Sequence, residues 1–127
     1  MDNATLVSFD VEKGADLVDG LERAGLKVSV ALWACLAEYG DWRLVVSARQ
    51  FDALNLKDAY GLLHDSSSAA GFTPYNEPPV MILPMADAFI RELRRKFGKA
   101  KGTEGMRLGS QMIGKRFVEE AYVYRVS

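Results

Sequence analysis

The sequence predicts an α+β fold. It has two layers, a mostly antiparallel sheet with about three helices packed on one face, in the order α-β-β-α-β-α-β-β. Three observations carry that prediction. Apolar residues alternate with others at Leu26, Val28, Val30, Leu32, Ala34 and Leu36, the period of a strand. Ala86, Phe89, Ile90, Leu93 and Phe97 fall on one stripe at helical spacing. The strand segments come in adjacent pairs around turn residues, which favours antiparallel pairing and one helical layer.

Taken in order, Asp10 to Gly25 predicts an amphipathic helix. Asp10 is its N-cap, Leu17, Val18, Leu21 and Ala24 form its apolar face, and Gly25 stops it. Gly14 and Gly20 weaken it, because glycine loses more backbone freedom than alanine on entering a helix. The alternating strand follows, with Ala31, Trp33 and Cys35 on its less apolar face. Glu38-Tyr39-Gly40-Asp41 supplies turn chemistry, and Trp42 to Ser47 returns as the second arm of a hairpin.

Phe51 to Asn55 fits no single element. Asn55 caps a second helix over Leu56 to Ala70, with Ala59, Leu62, Leu63 and Ser66 inward. Ser, Gly and Pro make the segment up to Pro79 a loop. Val80 to Leu83 is a short strand closed by Pro84, and Met85 to Phe97 is the third helix, ending at Gly98. Lys99 to Gly105 is a glycine-punctuated basic loop. Met106 to Ile113 and Arg116 to Val126 form a last hairpin around Gly114-Lys115.

At 127 residues with 49% hydrophobic side chains, the chain predicts one domain, 1–127, with a real core. No apolar run is long enough for a membrane span. No basic residue precedes the short apolar stretch in Met1 to Asp10, so a secretory signal is not expected and a cytoplasmic location is. One cysteine and one histidine argue against a disulfide framework and against zinc, so neither metal nor cofactor is expected.

Charge is the most informative functional feature. The net formal charge is −1, yet residues 91–116 hold nine of the sixteen Lys and Arg against only Glu92 and Glu104. Arg91, Arg94, Arg95 and Lys96 cluster at a helix end, and Lys99 and Lys101 follow in the loop. Cations are favoured there whatever the function, and Asp87 is placed to pair with Arg91 one turn on. The functional alternative is a patch that tracks a phosphate backbone. Tyr122 and Tyr124 share one strand face and would stack bases if that face were open, although aromatic strand residues usually pack. Lys115-Arg116-Phe117-Val118 faintly echoes an RNA-recognition signature, without the matching strand order. Trp33 marks a candidate dimer surface unless a helix of the same chain covers it.

Catalytic candidates are weaker. Glu38, Asp41 and Arg43 fit turn chemistry better than a metal-dependent nuclease, since Val80 to Leu83 brings no charged partner. His64 with Asp65 and Ser66 to Ser68 is adjacency, not a triad. Cys35 has no base nearby in sequence. Gly98 to Gly109 lacks both the P-loop ending and the dinucleotide fingerprint.

The hairpin Ala31-Leu32-Trp33 to Gly40-Asp41-Trp42-Arg43-Leu44-Val45, the segment Leu83-Pro84, Asp87 and Leu93-Arg94, and the ending Ile113-Gly114-Lys115 to Glu119-Glu120-Ala121-Tyr122-Val123-Tyr124-Arg125 resemble a family of small bacterial proteins with no assigned function. Gly114-Lys115 stands where that pattern leads one to expect Asn-Gly. The resemblance implies a bacterial, stand-alone domain and carries no catalytic residue across. Together these features predict a binding or regulatory module that works through protein–protein contact, self-association included. The alternative is nucleic-acid binding through residues 91–116, with an enzyme such as a metal-dependent nuclease third.

Overall fold

The computed structural model describes residues 8–100 and 102–127. Helix α1 spans Ser8–Arg23. Strands β1 (Val28–Leu36) and β2 (Trp42–Ala48) follow, then α2 (Arg49–Asp52), α3 (Leu56–Ala69) and β3 (Val80–Ile82). Helix α4 (Ala88–Phe97) precedes β4 (Arg107–Leu108), β5 (Gln111–Ile113) and β6 (Arg116–Val126). One sheet runs in the order β3-β2-β1-β6-β4, with β5 also on β6.

The class is α+β, but three expectations change. The sheet is mixed, because β3 lies parallel to β2, with Leu44 opposite Val80 and Val46 opposite Ile82. The long β2-to-β3 connection contains α3, the kind of crossover that parallel neighbours require. There are four helices, since Arg49–Asp52 forms one turn that buries Phe51. Finally, the helices are not on one face. Leu17, Val18 and Leu21 of α1 and Ala59 and Leu63 of α3 pack with Ala31, Trp33 and Cys35 on one side of β1. Phe89, Ile90 and Leu93 of α4 pack with Val30, Leu32, Ala34 and Leu36 on the other. The sheet is therefore the middle of three layers. The cause is visible in β1, where every residue but Ser29 is buried: alanine, tryptophan and cysteine on the supposedly outer parity are themselves core residues.

The last hairpin has a split first arm. Ile113 pairs with Arg116 across the two-residue turn. Gly114 has φ +60° and Lys115 does not have positive φ, the pattern of a type II′ turn. Strand β6 bulges twice against β1, between the Cys35/Leu36 and the Ala31/Leu32 pairs. Each bulge shifts side-chain parity. That is how Val118, Ala121, Val123 and Val126 all reach the α4 side of the sheet although their spacing is not a uniform two.

Helix α1 starts before Asp10, which sits in its first turn and not at its cap. Its two internal glycines are contact points. A Cβ on Gly20 would stand 2.6 Å from Ala70 Cβ at the end of α3. One on Gly14 would stand 2.6 Å from Trp33 Nε1 and closer still to Tyr124 Oη. Asn55 caps α3 as expected, its side chain accepting from Asp58 N at 2.8 Å. Asp87 caps α4 by accepting from Phe89 N at 2.9 Å. Among the described residues, no helix is long and apolar enough to cross a membrane.

Candidate functional site

Among the described residues, the basic segment is divided between open and engaged cations. Helix α4 turns Phe89, Ile90 and Leu93 to the sheet, so its polar residues face away from it or along its flanks. Arg91, Lys96 and Lys99 are exposed, and none of the three forms an ion pair among the described residues. The expected Arg91–Asp87 pair does not form. Asp87 caps the helix instead and meets Arg116 Nη2 at 3.6 Å. Arg95 folds back on Glu92, and this hydrogen bond holds the Glu92 carboxyl below its ordinary pKa. Arg94 is half-buried and donates from Nε to Ser127 O at 2.8 Å. Arg107 lies over the Tyr122 ring, 5.1 Å from its centroid. Arg116 pairs with Glu38 and Asp87. Lys101 lies outside the described residues, as does the stretch before Ser8.

Tyr122 and Tyr124 share a face, but it is the α1 face, opposite α4. Their rings meet edge to face at 5.3 Å. Tyr124 Oη donates to Val11 O at 2.5 Å and accepts from Trp33 Nε1 at 3.0 Å. Trp33 Nε1 also reaches Asp10 O at 3.2 Å. The pair is thus half-buried structure tied to α1, and the α4 cations and these rings do not form one surface. Burial pushes the Tyr124 hydroxyl up to about 12, although the Trp33 hydrogen bond opposes the shift. Trp33 is 3% exposed and covered by α1, so it marks no dimer surface in this fold. Of the readings weighed for it, cover by a helix of the same chain is the one found.

The hairpin acids are engaged elsewhere. Glu38 holds Arg116, while Asp41 meets Arg43 at 3.3 Å and Arg43 stacks on the Tyr39 ring. No group of three or more metal-capable side chains occurs among the described residues. Cys35 is fully buried, with Glu119 Oε2 3.6 Å from its sulfur. Burial first, then the Glu119 hydrogen bond, push its thiol up to about 11, the opposite of an activated nucleophile.

His64 meets an acid that sequence reasoning did not name. Its Nδ1 lies 2.7 Å from Glu77 Oε1, in the lining of a cavity of about 470 Å³ that Ser68, Asp65 and Thr73 also line. Asp65 is a neighbour in sequence, not the partner. Ser66 is turned inward and donates to Leu62 O at 2.9 Å. The contact fastens the loop after α3 to the helix, and a signal for it was absent from sequence because the two residues are thirteen positions apart across an irregular segment.

A second constellation was also missed. Lys27 before β1, Arg49 at the start of α2, Arg94 on α4 and Arg125 near the end of β6 line one open cleft of about 740 Å³. Among the described residues, Glu22, which pairs with Arg125, is its only acidic side chain. Gln50 braces the rim, donating to Gly25 O and accepting from Lys27 N, both at 3.3 Å. Three of these cations lie outside residues 91–116, so charge counting along the chain could not group them.

Comparison with known proteins adds no relative: no family model matches the sequence, no curated protein matches it, and no solved structure matches it.

Proposed function

We propose that the protein is a binding module that acts through protein–protein contact, with another copy of itself as the first partner. The supporting observation is the placement of charge on opposite sides of the sheet. Glu12, Asp16 and Asp19 are exposed along one stripe of α1, at the spacing that lines up one helix face. None of the three forms an ion pair among the described residues. Arg91 and Lys96 are exposed on α4 and Lys99 just past its end, across the sheet. The two sets cannot neutralise each other within one molecule, because the sheet lies between them. Between copies they are complementary, and such contact is heterologous, head to tail.

Light scattering at about 50 mM and about 500 mM salt tests this, since exposed pairs are screened as the Debye length shrinks. The expected result is association at low salt that dissolves at high salt. Arg91→Glu with Lys96→Glu abolishes it, and so does Asp16→Lys with Asp19→Lys. Mixing the two variants restores association, with the two alternating one to one, because one is then acidic and the other basic on both faces. A particle that is monomeric at both salts overturns the reading.

Nucleic-acid binding is the second reading, supported by the same open cations on α4. It rests on phosphate contact alone, since Tyr122 and Tyr124 face the other way. It predicts retention of oligonucleotides in filter binding at about 50 mM salt, falling steeply as salt rises. Arg91→Ala with Lys96→Ala removes that retention; its absence in the unsubstituted protein removes this reading.

A further inference from the structure

We infer that the cleft between Lys27, Arg49, Arg94 and Arg125 is a site for a small molecule bearing a diphosphate or similarly charged phosphate group. It is independent of the association proposed above, which uses the outer faces of α1 and α4.

Four cationic side chains from separate segments line one cavity, against Glu22, its one acidic side chain among the described residues, and the terminal carboxyl of Ser127, so cations still outnumber anions. Like charges gathered in one concavity repel, and low-dielectric walls reinforce the field that draws in a counter-charge. The internal neutralisation is incomplete. Arg125 is matched by Glu22 and also donates to Val28 O at 3.3 Å. Lys27 and Arg49 form no ion pair among the described residues. Arg94 uses its Nε on a Ser127 carboxyl oxygen, and among the described residues nothing takes up its terminal nitrogens, which keep their donors.

Geometry adds to charge. The Arg94 guanidinium is held by that hydrogen bond and by its half-buried position, so its fork is oriented before a ligand arrives. A planar fork of this kind matches two oxygens of a phosphate. Lys27 is held at its backbone by Gln50, which places the ammonium stem on the rim. The volume, about 740 Å³, is in the range of small-molecule sites and exceeds what a lone phosphate fills. A diphosphate would span the cations and leave room for the group that carries it.

The test is calorimetric titration of the full chain with inorganic pyrophosphate, with citrate as a polyanion lacking phosphorus. The expected result is one site per chain. Lys27→Ala with Arg49→Ala weakens it roughly tenfold or more, the effect of losing charged hydrogen bonds. Both side chains are exposed, so the variant keeps its core. Lys96→Ala, on the outer side of α4, leaves the affinity unchanged. No heat with pyrophosphate overturns the inference. Equal loss with Lys96→Ala overturns it too, by showing diffuse attraction, and citrate binding as tightly as pyrophosphate overturns the assignment to phosphate. The salt-dependent association above is unaffected by any of these outcomes.

Discussion

Gly14 shows how a residue can oppose its own element and still be required. In a helix interior, alanine is favoured over glycine by about 1 kcal/mol. Here the added methyl would fall within 2.6 Å of Trp33 Nε1 and against Tyr124 Oη, whose hydrogen bonds to the α1 backbone pin the helix to the sheet. Forcing a methyl into a filled space costs typically 1–3 kcal/mol, so the clash should outweigh the propensity gain. Gly14→Ala is expected to lower stability by about 1–2 kcal/mol in urea unfolding; a gain would mean that α1 can lift off without loss. Cys35 gives a second test at this scale. Its folded pKa, about 11, lies above the ordinary 9.0, so the unfolded chain ionises first. Its contribution to stability is complete below about pH 9 and is lost as pH rises through 11. Tyr124, raised from 10.0 to about 12, has the same sign and extends the loss upward. Unfolding midpoints should therefore fall between pH 9 and 12, and Cys35→Ala should flatten the lower part of that fall. Thiol reagents at neutral pH should react with the unfolded chain and not with the folded one.

Among the elements, local chemistry was well announced where it acts over a few residues. Asn55 capping α3, the β1–β2 hairpin with its turn acids, and the Gly114-Lys115 connection all follow from short-range rules. What sequence reasoning missed depends on partners far along the chain. Strand β2 pairs antiparallel with β1 as expected, but a mostly antiparallel sheet was expected, and α3 makes the crossover that sets the lone strand β3 parallel to β2. The bulges in β6 were not legible in its sequence, because register against β1 is a property of two strands. The turn also shows long-range constraint. A Cβ on Gly114 would approach Ala88 O to 2.6 Å and Phe89 N to 2.8 Å at the start of α4. With φ at +60° as well, Gly114→Ala should cost more than the roughly 1 kcal/mol of a strained turn alone. Thermal unfolding checks this, and a neutral outcome would mean that the α4 cap does not bear on the hairpin.

Across the whole molecule, the charge asymmetry becomes an axis. Counted along the chain, it divides residues 1–90 from 91–116; in space, it places an acidic stripe on α1 and a basic one on α4 with a sheet between. That arrangement favours contact between molecules, and the paired charge reversals described above test it. The same folding brings Lys27, Arg49 and Arg125, from otherwise acidic stretches, beside Arg94. Neither the cleft nor the His64–Glu77 contact was legible, because each joins residues whose separation in sequence carries no periodic signal.

By itself the amino-acid sequence determined the α+β class, the places where the longer helices and strands form, and the excess of positive charge near one segment. Those follow from periodicity, caps and composition, which are local or additive. Only the tertiary structure decided that the sheet is buried on both faces, that Trp33, Tyr122 and Tyr124 belong to the α1 side, and which cations are neutralised and which stand open. Pairing of charges and covering of faces depend on distance in space, and that is set only when the layers close on one another.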